Sequence, residues 1–472
     1  NITNDKRDKL EKGLIEKKNS ECWNQDYYFL EGVTWSRTAQ GKFAVRFQPK
    51  GSLFDTAAPT VYGDNIQIIY LLAFLNSSIA KVCTAILNPS LSFQVGDLKR
   101  LPVLDPESIE FCSAGVKSII KLSKEGWDSV EYSWDFKSLP ILKASAESML
   151  TLEASYTAMI VHNRDTIADM KRLEEENNRL FIDAYGLTDE MTPYVSIEQV
   201  TLTVNPSYRY GIKITEEERE VRFREDSMQE VISYSIGCMM GRYSLDEPGL
   251  IYANSGNIAF DAARYTKFLA DDDGIVPLTD KEWFADDAAN RLVEFISIAW
   301  DKDNLEENLA FLAENLSPKK GEDSRDTVRR YLSDKFYKDH MKTYKKRPIY
   351  WLFSSGKQKA FQCLVYLHRY NEGTLARIRT EYVIPLTAKL STHVNKLEND
   401  VEASSSTAEM KKLEKEIAQL HKQQVELSTF DEKLRHYADQ RISLDLDDGV
   451  KVNYGKFGDL LAEVKAIHGK KA

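Results

Sequence analysis

The cations of one segment, residues 329–379, are the residues in this chain best suited to bind a ligand. The segment holds thirteen Lys or Arg against three acids, a net charge of +10, inside a chain whose net charge is −10. Ten aromatic residues are interleaved with these charges: Tyr331, Phe336, Tyr337, Tyr344, Tyr350, Trp351, Phe353, Phe361, Tyr366 and Tyr370. Segregated positive charge with aromatic neighbours attracts a polyanion while it repels most other surfaces.

Six cations of this segment are the best candidates for contact with DNA: Lys342, Lys345, Lys346, Arg347, Lys357 and Lys359. The last two follow a predicted turn at Ser354-Ser355-Gly356. Each phosphate that they neutralise releases counterions, so such binding would depend on salt. The alternative is that the aromatic residues form a core and the cations are the solvated faces of its helices.

A second group of candidates lies in a predicted β-hairpin over residues 33–50. Apolar and polar residues alternate there on both sides of a predicted turn at Gln40-Gly41, which is the pattern of paired strands. Its candidate DNA-binding residues are Trp35, Ser36, Lys42, Arg46 and Lys50. A two-stranded ribbon fits the major groove, and arginine reads guanine edges with two hydrogen bonds. An ordinary exposed hairpin is the alternative.

No residues form a convincing catalytic, metal or cofactor site. The seven histidines make no HExxH, and GxSxG, GxxxxGK[ST] and GxGxxG motifs are all missing from the sequence. Asn205-Pro-Ser-Tyr208 is similar to the Asn-Pro-Pro-Tyr turn with which DNA amino-methyltransferases hold a flipped base. No glycine-rich strand and turn precede it, so we expect an ordinary turn at a strand end. Two acidic runs, 271–273 and 286–287, are interpreted as helix starts and surface acids.

Bulk properties limit the class of protein. A chain of 472 residues can form two to four domains. Its five scattered cysteines include no CxxC pair, which favours a reducing cytoplasm. The apolar run from Ile68 to Leu87 contains Asn76, Ser77 and Lys81, which favours a buried helix over a membrane span. Because the first residue is Asn1, we expect the chain to be a fragment or to have lost its start.

The candidate residues require an α+β fold to position them. We predict a helix over 65–87, a strand over 91–95 and a long helix over 160–180 that ends at Gly186. A strand is predicted over 196–205. Two apolar heptad stripes over 386–440 predict an antiparallel helical hairpin, with a Ser406-x-x-Glu409 capping box opening its second arm. Asp447-Asp448-Gly449 predicts a final β-hairpin.

Several stretches resemble a known family. Gly32-Val-Thr-Trp-Ser36 and Leu87-Asn-Pro-Ser-Leu91 through Asp97 are similar to the target-recognition region of adenine-specific DNA methyltransferases. Leu180-Phe-Ile-Asp-Ala-Tyr-Gly-Leu187 resembles the helix end that follows such regions. Four further blocks resemble PglX, the methyltransferase of BREX phage-defence systems: Ile236–Asp246, Tyr344–Phe361, Tyr366–Tyr370 and Leu446–Asn453.

The resemblance implies transfer of a methyl group from S-adenosylmethionine to adenine N6 at a short site, which marks host DNA. It also implies that the S-adenosylmethionine site and the catalytic turn belong to an N-terminal half outside this sequence. On this view the chain reads and grips double-stranded DNA and binds no cofactor itself. Further expected partners are its own methyltransferase half, other BREX proteins and acidic DNA-mimicking inhibitors; no membrane is expected.

On this basis we predict five parts. Residues 1–150 form a target-recognition domain, 151–195 a helical spacer, 196–385 a domain that clamps DNA with segment 329–379, 386–440 the helical hairpin, and 441–472 the C-terminal β-hairpin and helix. Two alternatives remain open. The chain is either a protein–protein scaffold of the BREX complex or a module like the specificity subunit of a restriction-modification system.

Overall fold

The computed structural model describes residues 24–38, 43–105, 111, 113–145 and 150–469, and it has the expected α+β fold. The strands, in chain order, are β1 (Gly32–Trp35), β2 (Val45–Gln48), β3 (Thr60–Val61), β4 (Ile275–Pro277), β5 (Tyr350–Ser354) and β6 (Gln362–Tyr366). The α-helices, in chain order, are α1 (Asn65–Asn76), α2 (Ser78–Leu87), α3 (Val95–Leu98), α4 (Ser113–Asp128), α5 (Pro140–Ser145), α6 (Leu152–Ala184), α7 (Pro206–Tyr210), α8 (Glu216–Met239), α9 (Ala288–Ala299), α10 (Leu305–Glu314), α11 (Ser324–Tyr331), α12 (Tyr337–Thr343), α13 (Thr374–Arg377), α14 (Ile384–Ala403), α15 (Thr407–Asp439), α16 (Gly449–Gly455) and α17 (Val464–His468).

The described residues form two compact units. Unit 1 comprises those up to Gly126 together with Asn163–Ile212, and unit 2 comprises Trp127–His162 with the residues from Lys213 onward. These boundaries differ from the five predicted parts, which stay a prediction about separate functions.

Unit 1 is built on a small antiparallel sheet with strand order β2-β1-β3. The predicted hairpin over 33–47 is confirmed: Val33 pairs with Phe47 and Trp35 with Val45. Its predicted turn at 40–41 lies outside the described residues. Trp35 is fully buried, and its indole nitrogen donates a hydrogen bond to the Phe93 carbonyl at 2.9 Å. The sheet therefore packs one face on helices α1 and α2 and on the end of α6.

The helix predicted over 65–87 is broken in two. Ser77 has an extended backbone, and its hydroxyl accepts a hydrogen bond from the Ala80 amide at 3.3 Å, so it begins a new helix. Among the described residues no single helix is long and apolar enough to span a membrane. The bent pair α1–α2 has the length and composition, with a 70° angle between its two members.

Two strands predicted in unit 1 were wrong. Residues 91–95 form only one isolated bridge, Thr38 with Ser92, because Gln94 and Asp97 start helix α3 immediately afterwards. Residues 196–205 hold a 3-10 turn and an irregular stretch instead of a strand. Val200 and Leu202 are buried there, against Ile167 and Met170 of α6. Their apolar alternation reflects packing on a helix and not pairing with another strand.

Helix α6 confirms the long helix of the sequence pattern, and it ends as predicted. Gly186 has a φ of +68°. The Leu187 amide donates to the Ile182 carbonyl and the Gly186 amide to Asp183, both at 3.0 Å. This pair of hydrogen bonds is a Schellman motif, which needs a left-handed residue after the helix.

Unit 2 contains an antiparallel sheet with strand order β4-β6-β5, in which Leu352 pairs with Leu364. One face carries Trp351, whose ring centroid lies 5.2 Å from that of Tyr454 and 5.7 Å from that of Phe457. The other face carries Tyr350, which stacks on His340 with centroids 4.8 Å apart. The middle strand, β6, is buried along its whole length.

Helices α14 and α15 form the predicted helical hairpin. Gln424 donates to Ser391 at 3.3 Å while Glu416 lies 3.6 Å from His393, so the two helices run antiparallel. Ser406 begins α15 by accepting the Glu409 amide at 3.4 Å. The Glu409 carboxylate accepts the Ser404 hydroxyl at 2.9 Å, so only half of the predicted capping box forms.

The predicted C-terminal β-hairpin was wrong. Gly449, with a φ of +78°, is followed by helix α16. The Asn453 side chain donates to the Gly449 carbonyl at 3.1 Å, which fixes that turn of helix. Tyr454, Phe457 and Leu460 are all buried. Tyr454 lies in α16, Phe457 in the turn after it and Leu460 in a 3-10 turn, so burial against the sheet overrides the alternation of Val450 and Val452.

Candidate nucleic-acid interface

The cations of residues 329–342 lie on one nearly continuous helix, and Lys345, Lys346 and Arg347 follow its end. Helix α11 passes through a π-helical turn, Leu332–Phe336, into α12. Its inner face buries Phe336, Tyr337, His340 and Met341. Its outer face carries Lys335, Lys338 and Lys342, which are all exposed. Residues three and four apart are neighbours on a helix surface, so these three lysines, called the cationic helix face below, form one stripe.

Six of the thirteen cations in the segment are structural. They bind carboxylates or carbonyls within unit 2: Arg329 binds Asp287, Arg330 binds Glu322, Lys359 binds Asp334, Arg377 binds Glu381, Arg379 binds Asp431, and Arg369 binds the carbonyls of Asp271 and Asp272. Arg369 is fully buried and lies 3.7 Å from the centroid of the Phe260 ring. The charge of these side chains is balanced within unit 2, although Arg377 stays about half exposed in a surface ion pair.

The other seven cations are exposed and form no ion pair with any described residue: Lys335, Lys338, Lys342, Lys345, Lys346, Arg347 and Lys357. Two acids lie among these cations on the helix, Asp334, which is exposed and paired with Lys359, and Asp339. The Asp339 carboxylate is half-buried and accepts the Tyr331 hydroxyl at 3.0 Å, and burial raises its pKa. The exposed charge of the segment is therefore strongly positive.

The aromatic residues of the segment form its core. Nine of the ten are buried, and Tyr344 is half-buried. The alternative from the sequence, that the aromatic residues are core and the cations their solvated faces, describes this arrangement. None of the buried rings can stack on a base, so any contact through this surface is electrostatic.

Lys345, Lys346 and Arg347, called the basic corner, connect α12 to β5. The Lys346 amide donates to the Met341 carbonyl at 2.7 Å and the Lys345 amide to Lys342 at 3.2 Å, which is a second Schellman motif. Lys345 and Lys346 have φ values of +50° and +62°. Glycine normally fills such positions, because a left-handed residue with a side chain costs about 1–2 kcal/mol. Strain of this kind is often kept where a side chain is needed for function.

Two buried groups hold the basic corner in place. His340 Nε2 accepts the Ile349 amide at 3.1 Å and the Tyr350 amide at 3.2 Å, which ties α12 to the start of β5. Burial lowers the pKa of His340 to about 3, so the ring is neutral and can accept these bonds. Tyr344 donates its hydroxyl to Glu131 Oε1 at 2.9 Å. The corner is thus anchored at both ends.

A groove of about 690 Å³ opens beside the basic corner and is called the corner groove. Four cations line it, Lys345, Lys346 and Arg347 from the basic corner and Lys451 from α16. Its remaining lining residues are Asp448, Gly449, Val450, Ala466, Ile467 and Gly469. Val450 and Ala466 are half-buried and give the groove its apolar surface, called the floor below, whereas Ile467 is 3% exposed.

The predicted pair Lys357 and Lys359 separates into two roles. They lie in the turn between β5 and β6, where the Glu426 carboxylate accepts the Ser355 hydroxyl and the Gln358 amide, both at 2.7 Å. Lys357 is exposed at the tip of this turn. Lys359 is partly buried and donates to the Ser333 carbonyl at 3.0 Å as well as to Asp334. Only Lys357 keeps its charge available.

In unit 1 the predicted hairpin residues also differ in role. Ser36, Arg46 and Lys50 are exposed, and Arg46 Nη2 donates to Ser36 Oγ at 3.1 Å. Trp35 is 1% exposed, so its ring supports the sheet and is closed to a ligand. Lys42 lies outside the described residues. Arg46 and Lys50 therefore carry the available positive charge among the described hairpin candidates.

The Asn-Pro-Ser-Tyr motif starts a helix. Asn205 is 1% exposed, and its amide nitrogen donates to the carbonyls of Ile197 at 2.7 Å and Val200 at 2.8 Å. Its side-chain oxygen accepts the Ser207 amide at 3.1 Å, which caps α7. At 1% exposure the side chain is closed to a target amine. The motif is an ordinary turn, although it follows an irregular stretch instead of the expected strand.

The acidic runs are largely structural. Asp287 caps α9 as predicted, but it is fully buried against Arg329 and is not a surface acid. Asp271 accepts the backbone amides of Asp273, Gly274 and Ile275, which shapes the turn before β4. Within the described ranges no group of three or more His, Cys, Asp or Glu side chains is placed to hold a metal ion.

Sequence reasoning singled out four members of this surface, Lys342, Lys345, Lys346 and Arg347, but not the rest. Lys335 and Lys338 could have been predicted as well, because positions 335, 338 and 342 are three and then four residues apart, which is a helical spacing. Lys451 and the apolar floor come from a part of the chain more than one hundred residues away. No local pattern could have brought them to the basic corner.

Comparison with known proteins gives two curated relatives. The chain is 44% identical over 467 residues to the adenine-specific methyltransferase BrxX of Escherichia coli O9:H4 (strain HS), which covers 96% of the chain and 38% of that protein. It is 37% identical over 447 residues to the adenine-specific methyltransferase PglX of Lacticaseibacillus casei (strain Zhang), which covers 93% of the chain and 35% of that protein. The chain thus spans little more than a third of their length. No protein-family model matches it.

Proposed function

We propose that this PglX-like chain is the DNA-binding and DNA-reading part of a BREX site-specific adenine methyltransferase. The chain is homologous to little more than a third of the length of each of two adenine-specific methyltransferases. In this proposal S-adenosylmethionine binds elsewhere in the methyltransferase, and the methyl mark serves to distinguish host DNA from phage DNA. Double-stranded DNA is the partner of this chain.

The single observation that carries the proposal is the unpaired charge of the cationic helix face and the basic corner. Six cations within thirteen residues, Lys335 to Arg347, are exposed and form no ion pair with a described residue, although the half-buried Asp339 lies near enough to Lys335 and Lys342 to feel their charge. Helix geometry places Lys335 and Lys342 about 10 Å apart along the axis. Phosphates along a DNA strand recur every few ångströms, so such a stripe can meet several of them. These contacts position the duplex and carry no sequence information.

Reading of the sequence is assigned to the hairpin of unit 1. Arg46 is exposed on β2, and its guanidinium is held by Ser36. A guanidinium that is oriented in advance can donate two hydrogen bonds to a guanine edge in the major groove. We therefore expect Arg46→Ala to relax preference among DNA sequences, while a corner variant weakens binding to all of them.

The test compares two triple variants in which the same amount of positive charge is removed. Duplex binding by the 472-residue chain is followed by fluorescence anisotropy at several salt concentrations. K345A/K346A/R347A should lower the slope of log affinity against log salt by about 2.7, because each phosphate that is no longer neutralised lowers it by about 0.9. K411A/K412A/K415A, which removes three exposed lysines of α15, should leave the slope unchanged. Equal effects of both triples, or an affinity indifferent to salt, would overturn the proposal.

A further inference from the structure

The corner groove is left empty by the proposed contact with DNA. A double helix lying along the cationic helix face would touch Lys345, Lys346 and Arg347 at its rim. It is far too wide to enter a cavity of about 690 Å³. That volume lies instead in the range of about 300–1,000 Å³ that is typical of sites for small molecules.

The lining of the groove describes the ligand it would accept. Four cations, Lys345, Lys346, Arg347 and Lys451, face one carboxylate, Asp448. That carboxylate lies 3.8 Å from Lys456 Nζ, so part of its charge is already balanced. The surplus calls for a ligand with about two negative charges, as a phosphate monoester carries near neutral pH.

The floor adds a second requirement. Val450 and Ala466, both half-buried, present aliphatic groups beside the cations. Gly449 and Gly469 have open space within 4 Å of where a Cβ would lie, so a ligand can approach the backbone there. Inorganic phosphate would leave this floor in contact with water. A ligand with a flat, weakly polar body would cover it and remove apolar surface from water.

We propose that the corner groove binds a nucleotide, with its phosphate on the basic corner and Lys451 and its base on Val450 and Ala466. The site overlaps the proposed DNA surface only at the basic corner, because Lys451 and Val450 have no part in that surface. The two ligands share the basic corner, so a bound nucleotide and a duplex exclude each other. Only this competition depends on the proposed function.

The experiment measures binding of four probes to the 472-residue chain by isothermal titration calorimetry: AMP, ribose 5-phosphate, inorganic phosphate and adenosine. AMP should bind at least tenfold tighter than each of the other three, because only AMP places a phosphate on the cations and a base on the apolar floor. Lys451→Ala should weaken AMP binding roughly tenfold, the effect of one charge-assisted hydrogen bond. It should change duplex affinity less than twofold.

Val450→Asn is the second variant, and it should weaken AMP but not inorganic phosphate. Lys411→Ala, on α15, is the control for removal of one exposed charge. Equal affinity for AMP and inorganic phosphate would mean that only the exposed cations of the groove bind the ligand, and it would overturn the inference. Binding of an acidic peptide without binding of AMP would also overturn it, in favour of a protein partner.

The two proposals fail separately. Absence of salt-dependent duplex binding with AMP binding intact would reject the DNA surface and keep the nucleotide site. Duplex binding that is unchanged by saturating AMP would reject the shared basic corner, and with it the placement of the phosphate.

Discussion

Tyr344 and Glu131 are joined by a hydrogen bond of 2.9 Å between residues 213 positions apart in the chain. Glu131 is 9% exposed, and its second oxygen accepts the Ser233 hydroxyl at 2.6 Å. Tyr344 immediately precedes the basic corner. The bond therefore fixes the end of α12, from which Lys345, Lys346 and Arg347 project.

Tyr344→Phe should destabilise unit 2 by about 1–3 kcal/mol, because one oxygen of a buried carboxylate is left without its hydrogen-bond donor. Urea titration followed by circular dichroism measures the change. Tyr208→Phe, at a site 48% exposed, is the matched control and should stay within about 0.5 kcal/mol. Equal effects of the two changes would mean that the hydrogen bond to Glu131 contributes nothing.

Lys345→Gly should stabilise the chain by about 1 kcal/mol while it weakens DNA binding. The gain arises because glycine adopts the left-handed backbone, with φ of +50° here, without strain. Thermal unfolding and anisotropy with duplex DNA measure the two effects on one sample. A variant with lower stability as well as lower affinity would show that the Lys345 side chain supports the fold.

The converse change is available at the end of α6. Gly186 has a φ of +68°, and a Cβ there would have nothing within 4 Å. Gly186→Ala should therefore lower stability by about 1 kcal/mol through backbone strain alone. DNA affinity should not change. This variant calibrates the cost that Lys345 bears.

The pH dependence of stability should reveal His340. Its folded pKa of about 3 lies below the ordinary value of 6.5, because burial and the charge of Arg242 both disfavour the protonated ring. As pH falls from 6.5 toward 3, the unfolded chain gains a proton that the folded chain does not. Stability should fall over this window, by up to about 1.4 kcal/mol per pH unit from this group.

His340→Gln should flatten that part of the pH profile, since glutamine does not titrate and its side-chain oxygen can still accept a backbone amide. His421→Gln, at an exposed position of α15, should leave the profile unchanged. Unfolding midpoints measured from pH 4 to pH 8 supply the comparison. Parallel profiles for wild type and His340→Gln would exclude this role.

Arg329→Ala should lower stability by about 3–5 kcal/mol, because it leaves the fully buried Asp287 carboxylate without its counter-charge. Lys335→Ala, six residues along the same helix and exposed, should change stability by less than about 0.5 kcal/mol. Urea titration of the two variants measures the contrast. Similar losses of stability in the two variants would mean that the ion-paired cations and the exposed, unpaired cations do not differ in their contribution to the fold.

Local patterns predicted some of these elements well. The α6 helix and its glycine end, the β1–β2 pair and the helical hairpin α14–α15 follow from periodicity and capping residues. Those signals depend on residues within a few positions of each other. The surface cations Lys342, Lys345, Lys346 and Arg347 could be proposed for the same reason, because their charge is local.

The errors share one cause, which is tertiary packing. Val200 and Leu202 alternate like a strand but cover α6. Tyr454, in α16, and Phe457, in the turn after it, pack on Trp351 of the sheet. Trp35 and Lys359 have side chains of the kind that contact DNA. In the fold, however, Trp35 donates to a carbonyl and Lys359 donates to a carboxylate. Which cation is paired depends on contacts between distant residues, and composition does not reveal it.

The double attachment of the loop after α12 has a thermodynamic consequence. His340 receives the two amides at the start of β5, and Tyr344 is fixed on Glu131, so the backbone that carries the three corner cations has one conformation before any ligand arrives. Little conformational entropy therefore has to be given up on association. Binding at this corner should therefore lose less entropy than binding of the same three charges on a flexible loop. The complexes should dissociate slowly once formed.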